Sequence, residues 1–204
     1  MRVSSDTARR TAVLDVGRRW GWHEAHARQV SRLAVGLFDQ AQPQHGLNDA
    51  DRELLEFGAL LHDVGEHVSV DAHHKHTAYL IEHSNLPDFS PDEISVLACL
   101  GRFHFRGDLK SSYQPYGVMD RAGRDRVTAL VAMLRLADGL DHTRRGVVDA
   151  MTFDAGRDAR LVVVGDGDPD LVASCAMRKA QLFEDVFDCR LEIDVSRQER
   201  LAVG

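Results

Sequence analysis

The chain has 204 residues, of which 44% are apolar and only 6% aromatic, so aliphatic side chains must build most of the core. This length predicts one domain, or one domain with a small appendage. The formal net charge of −7 at pH 7 excludes a generic nucleic-acid binder, which would be basic, and we expect no DNA partner. No apolar run reaches the roughly 18 residues of a membrane span, so we expect no membrane association.

The cysteines and the amino-terminal residues bear on whether the protein is secreted or stays in the cytoplasm. Residues 1–6 lack the apolar stretch of a secretory signal. The three cysteines, Cys99, Cys175 and Cys189, are odd in number and far apart, and their spacing matches no metal-binding pattern. These features predict a protein of the reducing cytoplasm.

Helices dominate the first part of the chain. Val30, Leu33, Ala34, Leu37 and Phe38 follow the spacing of a helix with one buried face. Ser90, Pro91 and Glu93 form a strong helix start, with a cap, a proline at the first position and an acid three residues after the cap. The predicted helices span approximately residues 5–19, 22–40, 50–63, 74–84, 90–105 and 123–142, and residues 107–122 are predicted to form an irregular polar loop.

The pattern changes after Arg145. Residues 147–154 and 159–165 predict a β-hairpin, residues 170–187 a helix, and residues 189–195 a half-buried strand with alternating apolar side chains. The fold class is therefore mainly α: a helical bundle over residues 1–146, followed by a small ββαβ (α+β) subdomain over residues 147–204. The aliphatic side chains of the last strand either pack on the preceding helix or form a homodimer interface.

Histidine is the most unusual component of the sequence. The chain has 11 histidines. Seven of them lie between residues 62 and 104: His62, His67, His73, His74, His76, His83 and His104. This concentration directs attention to metal binding or phosphate chemistry in that segment.

Four ionisable residues lie on the apolar faces of three predicted helices. His26 is four residues before Val30, His62 and Asp63 follow Leu61, and Asp138 is four residues after Leu134. A buried carboxylate needs a partner or a metal, and this set suits a divalent transition metal (Mn, Fe, Ni or Zn) better than Ca. The alternatives are that each histidine is a hydrogen-bonded core residue, and that Asp141 is the inward acid if the helix phase differs.

The order His26, His62–Asp63, Asp138 resembles the HD superfamily of metal-dependent phosphohydrolases. Five segments further resemble the C-terminal domain of the exopolyphosphatase and guanosine pentaphosphate phosphatase family: residues 26–34, 60–65, 73–81, 86–90 and 137–141. The resemblance implies an HD-domain helical bundle with His26, His62, Asp63 and Asp138 as ligands of one ion. Some HD proteins hold a second ion with further histidines, for which His76 and His104 are the candidates here; alternatively, the clustered histidines cap helices.

One departure from that family affects the expected activity. The family enzymes hydrolyse phosphoanhydrides in an actin-like ATPase-fold region that precedes this domain, and no glycine-rich phosphate loop occurs in this sequence. We therefore expect the helical domain standing alone. Its histidine–aspartate pair is intact, whereas many family members have lost it, and this favours a working metal site.

The remaining site candidates follow from phosphate chemistry. Asp63 is expected to take part in catalysis as a metal ligand. Glu66 is expected to act as a general acid or base, or to orient metal-bound water. The candidate phosphate-binding cations are Lys75, Arg102, Arg144 and Arg145, with Arg135 also close in sequence. Each of these side chains is alternatively a solvated surface charge.

Two functions compete at this point. The first is an HD-type metal-dependent phosphohydrolase acting on a phosphoester or phosphoanhydride, such as a nucleotide, a guanosine polyphosphate or polyphosphate. The second is a non-catalytic regulatory or binding module that holds polyphosphate, a nucleotide or a partner protein in the same cleft.

Overall fold

The computed structural model describes residues 2–197, with side chains from residue 7 onwards. The helices are α1 (Arg2–Arg19), α2 (Glu24–Gln40), α3 (Gln42–His45), α4 (Asp49–Leu61), a 3-10 helix (Val64–His67), α5 (His73–Glu82), α6 (Pro91–Phe103), α7 (Gln114–Gly117), α8 (Arg121–Leu140) and α9 (Pro169–Phe187). The strands are β1 (Val148–Asp154), β2 (Asp158–Gly165) and β3 (Arg190–Arg197).

The three strands form one small sheet in the order β1-β2-β3. β1 and β2 are antiparallel, and β3 joins β2 in parallel after the crossover through α9. The mainly α fold with a small ββαβ end is therefore confirmed. Sheet and helices share one continuous apolar core, in which Phe153 and Leu161 pack with the helical side chains.

Local sequence signals explain most of the helix boundaries. Asn48 and Asp51 form a reciprocal capping box on α4, and Ser90 and Glu93 do the same on α6. The predicted stripe of α2 is buried along its whole length. These caps and stripes are the features that the sequence predicted.

Three boundaries differ from the prediction. The helix expected to reach residue 63 ends at Leu61, and a 3-10 turn follows. Between the helices predicted over residues 22–40 and 50–63 lies a short helix, α3, because Pro43 is tolerated in a first helical turn. The expected loop over residues 107–122 contains α7 and the start of α8, where the Asp120 carboxylate accepts a hydrogen bond from Gly123 N–H.

The sheet is fastened to the helical body at two places. Side chains of α2 cover the outer edge of β1, where Gln29 Nε2 and Arg32 Nη1 donate to the carbonyls of Val148 and Asp149. On the other side α9 packs along α8 and carries β3, whose Leu191 is buried. The homodimer and the domain boundary near residue 146 stay predictions. Among the described residues, no helix combines the length and apolarity that a membrane span requires.

Candidate metal centre

Three helices and the turn after α4 bring one group of ionisable side chains together. His26 projects from α2, His62 is the C-terminal cap of α4, and Asp138 lies in the last turns of α8. All three are buried, and His62 is fully inaccessible. Their candidate ligand atoms lie within 4.8 Å of one another, and we call this group the inner cluster.

The ligand atoms of the inner cluster converge on a small buried space. Asp138 Oδ1 is 3.4 Å from His26 Nε2 and 3.9 Å from His62 Nε2. Asp63 Oδ2 approaches the same two nitrogens at 3.8 and 3.4 Å. Both Nε2 atoms are buried and have no hydrogen-bond partner. Such orphaned buried nitrogens are rare in proteins, and a cation placed between them and the carboxylates would satisfy them.

The outer nitrogen of each inner histidine is held by a hydrogen bond. His62 Nδ1–H donates to Ala59 O at 2.7 Å, which leaves the Nε2 lone pair facing the cluster. His26 Nδ1 bonds Asp141 Oδ2 at 2.8 Å, and Asp141 in turn accepts from Gly146 N–H. This is the support that metal-bound histidines usually have. The geometry places Asp138 in the cluster and Asp141 behind the His26 ring.

A second group forms around the other oxygen of Asp63. Asp63 Oδ1 is 3.1 Å from His104 Nε2 and 3.5 Å from His73 Nε2, and these two nitrogens are 3.1 Å apart. His73 Nδ1–H donates to Val70 O and His104 Nδ1–H to Gly101 O, so each neutral ring presents an Nε2 lone pair. Two facing lone pairs need a proton or a metal ion between them. We call Asp63, His73 and His104 the outer cluster.

Asp63 joins the two clusters, since its Oδ2 faces the inner one and its Oδ1 the outer one. A single carboxylate shared in this way is the natural bridge of a two-ion centre. The turn that carries Asp63 is fixed by Gly65, whose N–H donates to Thr77 Oγ1 at 2.9 Å. A Cβ on Gly65 would collide with the backbone of α5 at His73 and Thr77, so glycine is what lets this helix approach the site.

The pKa values of the inner histidines reflect their surroundings. Burial alone would lower the pKa of His26, but the carboxylates of Asp138 and Asp141 outweigh it and raise this pKa to about 9. Burial dominates at His62 and lowers its pKa to about 4, although Asp63 and Asp138 oppose the shift. Without a metal, a proton on His26 therefore supplies the positive charge that the carboxylates require, and His62 stays neutral with its Nε2 lone pair free to bind.

An arginine neutralises Asp63 from the solvent side. Arg144 Nη2 donates to Asp63 Oδ2 at 2.6 Å, and the same guanidinium binds both oxygens of Glu66. Burial would raise the pKa of Asp63, but His62, His104 and Arg144 together hold it well below its usual value. Arg144 adopts a left-handed backbone conformation with a φ of 57°, which is strained for a non-glycine residue and is typical of functional positions.

A lysine from the C-terminal unit neutralises the other acid. Lys179 of α9 forms an ion pair with Asp138 Oδ2. Lys179 can contact Asp138 because α9 packs closely against α8. At the contact, a Cβ on Gly139 would lie only 2.9 Å from Ala176 Cα. Residues far apart in sequence thus meet at the inner cluster, and α9 contributes a charge directly to it.

The two clusters open into a cleft of about 790 Å³. Its cations are Lys75, Arg106, Arg144 and Lys179, and the acids Asp63, Glu66, Asp71 and Asp138 also line it. On a protein of net charge −7, these four cations are groups that a phosphorylated ligand could bind, although four carboxylates line the same cleft.

The structure brings together most of the side chains that the sequence indicated. His26, His62, Asp63, Asp138 and His104 meet in the clusters, and Glu66, Lys75 and Arg144 line the cleft. Three candidates do not reach it: His76 belongs to neither cluster, Arg102 lies 5.8 Å from the centroid of the Tyr113 ring, and Arg145 lines a different cavity.

Sequence reasoning missed three residues of the site. His73 occupies the position in the outer cluster that we expected for His76. The two residues share a face of α5, so the prediction chose the correct helix face but a residue one turn too far along. Arg106 and Lys179 line the cleft without any local sequence signal, since Arg106 follows the end of a helix and Lys179 lies on the last one.

The fold and the site define a class: a mainly helical domain in which buried histidines and aspartates from several helices converge beside one cleft. The profile of the Ppx/GppA phosphatase family, domain III, matches residues 8–167, and the chain belongs to this family. A curated relative, the guanosine-5'-triphosphate,3'-diphosphate pyrophosphatase of Aeromonas hydrophila subsp. hydrophila, is 29% identical over 151 residues. The match covers 73% of this chain but 30% of the relative, so the chain spans less than a third of the relative's length.

Proposed function

We propose that this chain is an HD-type metal-dependent phosphohydrolase that acts on a phosphoester or phosphoanhydride. The observation that carries the proposal is the inner cluster. There, two buried Nε2 atoms without hydrogen-bond partners face the oxygens of Asp63 and Asp138. Membership of a phosphatase family and the cationic cleft support the same assignment.

His26, His62, Asp63 and Asp138 would hold a first divalent ion. This mixed nitrogen and oxygen set suits Mn, Fe, Ni or Zn. Asp63, His73 and His104 would hold a second, with Asp63 shared between the two. The support for this arrangement is that all four histidines have their Nδ1 engaged elsewhere and turn Nε2 toward Asp63 or Asp138.

Divalent ions bound here supply Lewis acidity for attack of water on phosphorus. The residues of the chain provide orientation and charge. Lys75, Arg106 and Lys179 line the cleft where a phosphate group would enter. Arg144 lines the same cleft and is held there by Asp63 and Glu66, so its guanidinium would be available to bind a phosphate oxygen.

Glu66 is assigned a positioning role within this proposal. Both of its oxygens accept hydrogen bonds from Arg144, so the carboxylate holds the guanidinium at the mouth of the cleft. A proton-transfer role would first require this bidentate pair to open. We therefore assign Glu66 to the orientation of Arg144 and of the phosphate group that Arg144 binds.

The substrates proposed are nucleotides, guanosine polyphosphates or polyphosphate, and the second of these agrees with the name of the relative, a guanosine-5'-triphosphate,3'-diphosphate pyrophosphatase. One observation favours the alternative of a non-catalytic module that binds such a ligand or a partner protein. Arg144 and Lys179 already pair with Asp63 and Asp138, so the charge of these acids is compensated without a metal.

Metal analysis and a phosphate-release assay separate the two functions. Purified protein, stripped with EDTA and reloaded with Mn, should retain about one equivalent of metal or more per chain after desalting. It should release phosphate from nucleotides or tripolyphosphate, or p-nitrophenol from bis-p-nitrophenyl phosphate, and Asp63→Ala should abolish both metal retention and hydrolysis. His83→Ala, an exposed change outside the cleft, is the control.

Two results would count against the enzyme. Metal retention below about a tenth of an equivalent per chain would remove the metal site. Retained metal and tight ligand binding, without turnover of any substrate in the panel, would establish the binding module instead.

A further inference from the structure

A second cavity of about 440 Å³ lies beside the metal cleft. It is bounded by the segment Phe105–Leu109, by α8 and by α9, and it shares Phe105, Arg106, Gly107 and Lys179 with the cleft. The two cavities are thus neighbours with a common cationic boundary. The metal chemistry proposed above does not use this second cavity.

Arg135 of α8 lines this cavity and is a buried cation without a counter-ion. Arg135 as a whole is only 7% exposed to solvent. Its Nε and Nη2 both donate to backbone carbonyls, of Phe103 and Gly107, at 2.7 Å each. Among the side chains that the structure describes, no carboxylate forms an ion pair with it. A buried charge of this kind is costly unless something compensates it.

The electrostatics of Arg135 are consistent with a missing anion. Burial lowers the pKa of the guanidinium from its usual value to about 10, and the charge of Asp108 opposes this shift only in part. Since Asp108 is exposed, water screens its field. The two backbone carbonyls fix the position of the guanidinium but carry no full negative charge.

Three further cations surround the same cavity. Arg106 lies with its guanidinium carbon 4.9 Å from the centroid of the Phe105 ring, and Arg178 donates to Cys175 Sγ. Neither of them forms an ion pair with a carboxylate of the described residues. Lys179 is the third, and it is already paired with Asp138. The carboxylates that line the cavity are Asp108 and Asp185.

We propose that this cavity is a binding site for a phosphate-type anion, held by Arg135, Arg106 and Arg178. Guanidinium groups match the oxygens of a phosphate in pairs, and an anion here would supply the counter-charge that Arg135 lacks. The anion is either a phosphate group of the molecule whose reacting phosphate lies in the neighbouring cleft, or a separate phosphate ion. The site itself does not depend on the metal function.

Phosphate binding by metal-free protein tests the site directly. Inorganic phosphate is titrated calorimetrically into the EDTA-treated full chain, and thermal unfolding is followed as phosphate is added. The Arg106→Ala/Arg178→Ala double variant should bind phosphate at least about tenfold more weakly, because it loses two charge-assisted contacts. It should also lose the stabilisation that phosphate gives the wild type.

Arg121→Ala is the matched control. It removes the same charge from an arginine of α8 whose side chain is 92% exposed and lies outside the cavity. Arg135→Gln tests the buried cation itself and retains an amide donor for the backbone carbonyls. Should Arg135→Gln fail to fold, the double variant still decides the question. Equal phosphate affinity in the wild type, the double variant and the control would overturn the proposal.

Two further measurements identify the source of the anion. If it belongs to a bridging ligand, Mn loading should tighten tripolyphosphate binding in the wild type, and the double variant should lose most of that gain. If it is a separate ion, Mn loading should leave phosphate affinity unchanged. In Asp63→Ala, phosphate binding by the metal-free protein should persist, so failure of the metal function and failure of this site are distinguishable.

Discussion

The inner and outer clusters differ in what their histidines do when no metal ion is bound. In the inner cluster, His26 Nε2 and His62 Nε2 are buried and lack any hydrogen-bond partner. In the outer cluster, His73 Nε2 and His104 Nε2 lie 3.1 Å apart, so one proton between them satisfies both. Without a metal, the inner cluster relies on a proton on His26 and leaves His62 Nε2 unsatisfied, whereas one proton serves both nitrogens of the outer cluster. We infer that the inner cluster binds the tighter ion.

The histidines of both clusters lie near helix ends, so the difference comes from what holds those helices. The inner ligands belong to α2, α4 and α8, which pack on one another in the central core. The outer histidines belong to α5 and α6, and α5 reaches Asp63 through the contact of Gly65 with Thr77. The outer cluster therefore depends more on this local support.

The largest effect is expected at Asp63, because its two oxygens face both clusters. Asp63→Asn keeps the size of the side chain and removes its charge. It should abolish retention of both ions and lower phosphate release by a factor on the order of 10³ or more, since a metal ion supplies several kcal/mol of transition-state stabilisation. Metal analysis and initial rates measure this effect. Asp71→Asn, an exposed acid of the same cleft, should behave like the wild type.

Single histidine changes separate the two clusters. His62→Gln should eliminate the tight ion, because its Nε2 has no substitute in the inner cluster. His73→Gln should leave about one tight ion per chain and remove only the weaker one. Mn titration of EDTA-treated protein, followed by electron paramagnetic resonance, counts both classes of site. Equal loss of both ions in the two variants would contradict the ranking of the clusters.

A third prediction tests the support of the outer cluster. A methyl group on Gly65 would collide with α5 at His73 and Thr77, so Gly65→Ala should displace that helix from Asp63. We expect the affinity for the weaker ion to fall about 10- to 100-fold, in the range found when supports of metal ligands are removed, with the tight ion retained. The same Mn titration measures it, with Gly156→Ala, where a Cβ meets open space, as the control. Loss of the tight ion instead would show that the two clusters are not separable.

The sequence predicted those site residues that belong to a regular helical pattern and missed those whose position depends on turns or on packing between helices. His26 and Asp138 lie on long amphipathic stripes, where helical periodicity determines which side chains face inward. His73 follows a residue in the left-handed conformation, Ala72 with a φ of 56°, and no local pattern predicts where a helix begins after such a turn. Lys179 lines both cavities and Arg135 the second one because α8 packs against α9, and helical periodicity does not predict which helices become neighbours.

The smallest effect is expected at His76, the residue that the sequence favoured for the second ion. Only three positions separate it from His73, but it belongs to neither cluster and does not line the cleft. His76→Ala should therefore leave the number of bound ions and the rate of phosphate release within about twofold of the wild type, since a substitution outside such features rarely costs more than half a kcal/mol. Comparison of His76→Ala with His73→Gln measures the effect of two histidines that are only one helical turn apart. Loss of the weaker ion in His76→Ala alone would mean that His76 occupies the place of His73, which requires α5 to lie about one turn further along, because residues three apart share a helix face.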